Sequence, residues 1–220
     1  MTKNNRTIVW VTSIICLLPF VYSALAYTSL PERIAIHWNS AGVPDNWAHK
    51  AVAAFGLPFL FLAINLYSKM RLLNDPRREG QSQAIRQISI WLIPAASIVL
   101  VPVTLQMAMG ARVPIVLLGS LLVGLLLVIF GNNLPKNRQN YTIGFKLPWT
   151  LNDADNWNKV HRLAGYLWIA GGLGLIAGSF LLRQPLAHIA LTALVVVVLV
   201  LVPSVYSYSL YKQESGHASE

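Results

Sequence analysis

The chain has 220 residues, 55% of them hydrophobic and only 11% charged. Soluble domains carry about 25% charged residues, so this deficit excludes an ordinary water-soluble globule and points to a bilayer. The formal charge of +9 would suggest nucleic acid in a soluble protein; here its source is plainer, because cytoplasmic loops of membrane proteins collect Lys and Arg.

Six runs are long enough to cross a hydrocarbon core of roughly 30 Å at about 1.5 Å per residue. They cover about residues 7–28, 51–68, 87–109, 113–131, 163–182 and 187–210. The first run follows Lys3 and Arg6 and ends in Ala24-Leu25-Ala26, which resembles a signal-peptidase site. It exceeds the signal core of about 7–15 residues, so it reads as a retained helix. Cys16 is the only cysteine. It reads as a small buried hydrophobe, with no intrachain disulfide possible. In residues 29–50, Ile34, Ile36 and Trp38 alternate with Ala35, His37 and Asn39. Period two argues a short strand. Asn39-Ser40-Ala41-Gly42 and Val43-Pro44-Asp45 are turn chemistry, so a small ribbon or cap is expected.

The second run ends at Lys69-Met70-Arg71, and Asn74-Asp75-Pro76 breaks the polar loop that follows. Pro94 and Pro102 kink the third run. Only Gly110-Ala111-Arg112 separates it from the fourth, which requires an antiparallel pair. Residues 132–161 form a long basic and aromatic segment. Within it Thr150-Leu151-Asn152-Asp153 matches a capping box, which places a helix start near Leu151. The fifth run is glycine-rich, and the spacing of Gly174 and Gly178 lets another backbone approach. The sixth, with its Val195–Val202 stretch, reads as lipid-facing. The expected fold is an all-α bundle of six transmembrane helices with a small extracellular cap and a structured cytoplasmic loop. It divides into an N-terminal membrane region, 1–110, and a second, 111–220.

Charge sets the expected orientation. With the N-terminus inside, inner segments hold thirteen Lys and Arg and outer segments hold four: Arg33, Lys50, Arg112 and Arg183. Both termini are then cytoplasmic, residues 29–50 face outward and 132–161 inward. No Asp, Glu, Lys or Arg falls within the six runs, which weighs against ion-coupled transport.

Two polar patches could carry chemistry. In the outer patch His37, Asn39, Asp45 and His49 cluster, with Trp38 and Trp47 flanking the turn. His37, Asp45 and His49 are candidate metal ligands, though HExxH is absent. Otherwise Asn39 and Asp45 tie turns, or the patch with its indoles recognises something arriving from outside. In the inner patch Lys136, Arg138, Lys146, Lys159 and Arg162 interleave with Tyr141, Phe145, Trp149 and Trp157. Beside membrane helices such a pattern contacts lipid headgroups or a protein partner before nucleic acid. There is no phosphate loop, nucleophile elbow or triad spacing, so neither an enzyme nor a cofactor is expected. The alternatives are a small transporter or channel, and a membrane enzyme with metal at the outer histidines.

The two patches also carry a resemblance. Leu30-Pro31-Glu32-Arg33-Ile34, His37-Trp38-Asn39, Gly42, Pro44-Asp45, Trp47 and Lys50 resemble a small membrane domain of unassigned function. That domain often occupies the N-terminal half of SdpI-like proteins. Asn132–Lys136, Asn140-Tyr141-Thr142-Ile143-Gly144, Lys146–Leu151, Trp157 and His161-Arg162 resemble the SdpI family itself. Lys146 departs from that pattern, which has arginine there; lysine lacks the planar fork. The resemblance implies a six-helix bacterial inner-membrane protein giving immunity to a secreted peptide toxin. It also implies a transcriptional repressor as cytoplasmic partner. His37, Asn39, Asp45, Trp47 and His49 would face the toxin. Asn140, Tyr141, Gly144, Lys146, Trp149, Thr150, Trp157, His161 and Arg162 would serve the partner or lipid.

Overall fold

A computed structural model describes residues 3–39, 41–182 and 184–217. Ser40 of the expected turn and Arg183 of the outer charge count lie outside them. Among the described residues six helical stretches are long and apolar enough to span a membrane: Asn4–Ser29, Val52–Leu73, Gln83–Ala108, Ile115–Lys136, Ala154–Leu181 and Leu186–Glu214. Each contains one of the six runs, apart from a residue or two at run ends. The chain forms two compact units, Met1–Asn74 with Arg86–Ile115, and Asp75–Ile85 with Val116–Glu220. Residues 75–85, which a division at 110 leaves in the first half, therefore pack with the second.

In the first unit α1 (Lys3–Leu17) and α2 (Pro19–Ala26) form one kinked span. Pro19 has no N–H for the carbonyl one turn back, and Leu18 N–H reaches both Ile14 O (3.1 Å) and Ile15 O (3.2 Å) instead. An antiparallel hairpin follows, β1 (Arg33–Trp38) with β2 (Pro44–His49). A π-turn, Val52–Gly56, leads into α3 (Leu57–Leu73), and α4 (Gln83–Ala108) completes the unit. The hairpin is anchored through Leu30 and Ile34, which are buried with Ala53, Ala54, Val101 and Leu105.

The interior of this unit is not free of charge. Lys69 is only 1% exposed and donates one hydrogen bond, 3.2 Å to Ser89 O. Helix α3 continues through Leu73, so Lys69 packs inside the unit and not in a loop. The expectation of an uncharged interior is corrected on that ground. One turn earlier on the same face, Asn65 donates to Thr12 Oγ1 (3.1 Å), while its own Oδ1 is buried without a partner among the described residues.

In the second unit α5 (Ile115–Asn133) is followed by the segment 137–147, a short α6 (Pro148–Asn152), the long α7 (Ala154–Leu181) and α8 (Pro185–His217). Helices α5 and α7 touch through glycines. A Cβ on Gly131 would lie 2.8 Å from Gly165 O, and one on Gly124 2.7 Å from Gly172 O. The pair singled out by spacing behaves differently: Gly174 faces open space and Gly178 faces the Leu191 side chain. Its facing helix supplies no backbone there. Helix α7 packs on α8 through Val195 and Leu199, while most other α8 aliphatics are exposed. Near the far end Asn156 and Ser207 exchange hydrogen bonds, Nδ2 to Ser207 O (2.9 Å) and Ser207 Oγ to Oδ1 (2.7 Å). The expected capping box is also corrected. Asp153 caps α7 by accepting from Asp155 N and Asn156 N, and Thr150 sits inside α6.

Candidate functional site

The hairpin register shows how the first patch is built. Ala35 faces Trp47, but His37 faces Asn46 and Trp38 faces Pro44, so the ladder is irregular on both sides of His37. A bulge resets the alternation of side chains. Arg33, Ala35 and Trp38 consequently line one surface, and strict period two fails at Ile36. Asn39 fastens the turn: its Oδ1 accepts from Ala41 N (3.0 Å) and Val43 N (3.1 Å). Gly42 has φ +75°, a conformation that costs a side-chain-bearing residue energy. His37 Nδ1 meets Asp45 Oδ1 at 2.5 Å on an exposed face. His49 is elsewhere. It joins Lys50 on Glu32, with Nε2 at 3.3 Å and Lys50 Nζ at 2.7 Å from the carboxylate. The hydrogen bond from Lys50, followed by its charge, lowers the Glu32 pKa, and the same bond raises that of Lys50. The three metal candidates are thus split between two clusters, and among the described residues no group of three His, Cys, Asp or Glu could hold a metal ion.

Beside the hairpin lies a cleft of about 730 Å³, walled by Arg33, Ala35, Trp38, Gly42, Pro44 and Trp47 and by Met107, Ala108 and Ala111 through Pro114. Of the residues expected in the outer patch, the two indoles, Trp38 and Trp47, line this cleft, and His37, Asn39, Asp45 and His49 do not. Arg33 and Arg112 were not singled out as site residues. The basic residue in each loop looked like an orientation signal and nothing more.

The second patch is a closed lattice. Asp75, 5% exposed, accepts from Arg77 N (2.8 Å), Gln81 Nε2 (3.2 Å), Tyr141 N (2.9 Å) and Thr142 Oγ1 (2.6 Å). Four donors hold this buried carboxylate, and among the described residues none of them is a cationic side chain. Arg138 N donates to Gly80 O (2.7 Å), and Ser82 N to Asn137 Oδ1 (3.1 Å). Asn140 is fully buried; it accepts from Thr142 N and Ile143 N and donates to Arg138 O. Thr150 Oγ1 accepts from Leu147 N (2.9 Å) and donates to Phe145 O (2.6 Å).

His161 holds the centre. Nδ1–H donates to Trp157 O (2.7 Å), and Nε2 accepts from Phe145 N (3.0 Å). These partners fix one neutral tautomer, since an imidazolium could not accept. The ring stacks on Trp157 at 3.9 Å, and Trp157 Nε1 donates to Asn137 O (2.6 Å). Gly144, at φ +122°, fits because it has no Cβ, which would strike His161 and crowd Trp157. Trp149 packs on Tyr208 and Tyr211 of α8. Tyr141 lies under the Arg77 guanidinium at 4.9 Å. Of the nine residues expected to serve a partner, Asn140, Thr150, Trp157 and His161 are buried, Gly144 and Trp149 are half-buried, and Tyr141, Lys146 and Arg162 are exposed. Lys146 Nζ donates to Thr142 O (3.0 Å) and is exposed, as is Arg162.

Fold and patches define a multi-pass helical membrane protein with two ordered extramembrane structures. The SdpI/YfhL protein family model matches residues 136–207, and a domain of unknown function (DUF1648) matches residues 14–62. Over 217 residues the chain is 30% identical to the Immunity protein SdpI of Bacillus subtilis (strain 168), covering 98% of this chain and 99% of that one. The chain belongs to the SdpI/YfhL family. No solved structure matches it.

Proposed function

We propose that the chain is a non-enzymatic immunity protein of a bacterial cell membrane, protecting its host from a secreted peptide toxin. The end-to-end match to an immunity protein, at 30% identity, carries this reading. Both termini face the cytoplasm, which puts the hairpin outside, where a toxin arrives, and the 137–153 lattice inside. Charge supports that arrangement through the excess of Lys and Arg in segments on the lattice side of the chain. The hairpin face with His37, Asp45 and Trp47 meets the toxin. The exposed cations Lys146 and Arg162 meet anionic lipid or a cytoplasmic regulator such as a transcriptional repressor. The test is growth of toxin-sensitive cells expressing the chain in medium conditioned by a producer strain. Wild type protects, and His37→Ala with Asp45→Ala does not, at equal membrane levels. Failure of wild type to protect against any producer tested ends the reading.

A second reading, a small transporter, is favoured by one observation: Lys69 and the unpaired Asn65 Oδ1 lie buried within spans. Proteoliposome flux that vanishes in Lys69→Met would establish it.

A further inference from the structure

Among the described residues, Arg33 and Arg112 have no carboxylate or carbonyl partner, yet both wall the same cleft. They come from separate segments, β1 and the connection after α4. No acid lines the cleft. The nearest acids along the chain are committed elsewhere, Glu32 to Lys50 and His49, and Asp45 to His37. Two guanidiniums therefore share a cavity with no countercharge of its own. Each presents a planar fork that matches a carboxylate in two parallel hydrogen bonds.

The rest of the wall is apolar and aromatic. Trp38 and Trp47 contribute indoles to it, and Ala35 and Met107 further apolar surface. The volume of about 730 Å³ suits a ligand of several residues and is far too large for one small ion. A phospholipid headgroup would satisfy the arginines but has no apolar groups at that level for the indoles and methionine. A chain with a carboxylate among apolar side chains satisfies both.

We infer that this cleft binds an apolar peptide segment through a carboxylate, held by Arg33 and Arg112 while its side chains pack on Trp38 and Trp47. The inference deepens the immunity reading, on which it rests for the peptide's source: the toxin's recognised part is an apolar end with a free carboxylate or an acidic side chain.

The test uses the full-length chain in phosphatidylcholine nanodiscs. The probes are a dye-labelled six-residue Leu/Ala/Val peptide with a free C-terminal carboxylate and the same peptide as its amide. The acid binds about tenfold or more tightly than the amide, as a charge-assisted bidentate contact requires. Arg33→Gln with Arg112→Gln removes the difference, while Arg33→Lys with Arg112→Lys keeps part of it; elution volume and melting temperature verify the fold of both. Equal binding of acid and amide, binding of neither, or discrimination that survives the Gln variant overturns the inference. Displacement of the peptide on adding phosphatidylglycerol assigns the arginines to headgroups and overturns it too. The two readings fail separately. Protection by wild type without acid discrimination removes the cleft and leaves immunity. Discrimination without protection removes immunity and leaves the cleft.

Discussion

Single residues in the second unit carry several contacts each, which makes their replacement informative. Gly144 combines φ +122° with a neighbour, His161, that leaves no room for a methyl group. Gly144→Ala is expected to cost about 2 kcal/mol or more, from backbone strain and the displaced imidazole. A thermal melt in detergent checks this. Asp75→Ala strands up to four donors, and buried unpaired donors cost about 1–3 kcal/mol each. Protease cleavage within 137–147 should then accelerate while helix content stays. Lys69 makes the opposite case. A buried amine with a single carbonyl partner is a net cost, so Lys69→Met should leave stability unchanged or raise it. At the hairpin, the Glu32 carboxyl has its pKa lowered by Lys50. Its contribution is therefore complete above the ordinary carboxylate range and disappears as pH falls through the depressed value. Protection of the Lys50 N–H, which donates to Glu32 O at 2.9 Å, should fall in acid when its hydrogen exchange is compared with the intrinsic rate at each pH. Glu32→Gln should remove that pH dependence.

Helices pack where small residues on both partners coincide, and this is the level at which sequence reading was least complete. The spacing of Gly174 and Gly178 looks like a contact motif, but a motif on one helix says nothing of what faces it. The contact instead uses Gly165 and Gly172, seven apart, against Gly131 and Gly124, also seven apart in the antiparallel sense. Gly172→Ala should lower the melting temperature clearly, because its Cβ would meet Gly124 O and the Val128 and Leu127 side chains. Gly174→Ala, facing open space, should be silent. The hairpin failed in a similar way. Alternation located a strand, but the bulge beside His37 moved Trp38 onto the face of Arg33 and Ala35. A one-residue slip reverses every later side chain, and nothing local to the sequence announces it.

At the scale of the whole chain, what could be read came from composition. Apolar runs located six spans, and turn residues located the ribbon and the ordered loop. Contacts between segments far apart in sequence were invisible. Asp75 looked like a helix breaker, although it anchors residues 66 and 67 positions later. Arg33 and Arg112 looked like loop charges, although they share a cavity. Lys69 looked like an end-of-span charge because hydropathy falls there, although the helix and its packing continue. Orientation can be tested directly. Three spans separate His37 from Lys146, so single cysteines introduced as His37→Cys and Lys146→Cys, in a Cys16→Ser background, should be labelled from opposite sides of intact cells. Labelling of both from outside would undo the assignment of roles to the two loops.

The Asp75 carboxylate also governs how the protein can be divided. It belongs to a connector translated before α4, yet what it fastens is made more than sixty residues later. A fragment beginning at residue 111 would carry every residue of the family match at 136–207 and still lack the staple for its own loop. Such a fragment should be digested rapidly between 137 and 147. Supplying residues 75–85 as a separate peptide should restore its resistance, a complementation that marks the true seam of the molecule.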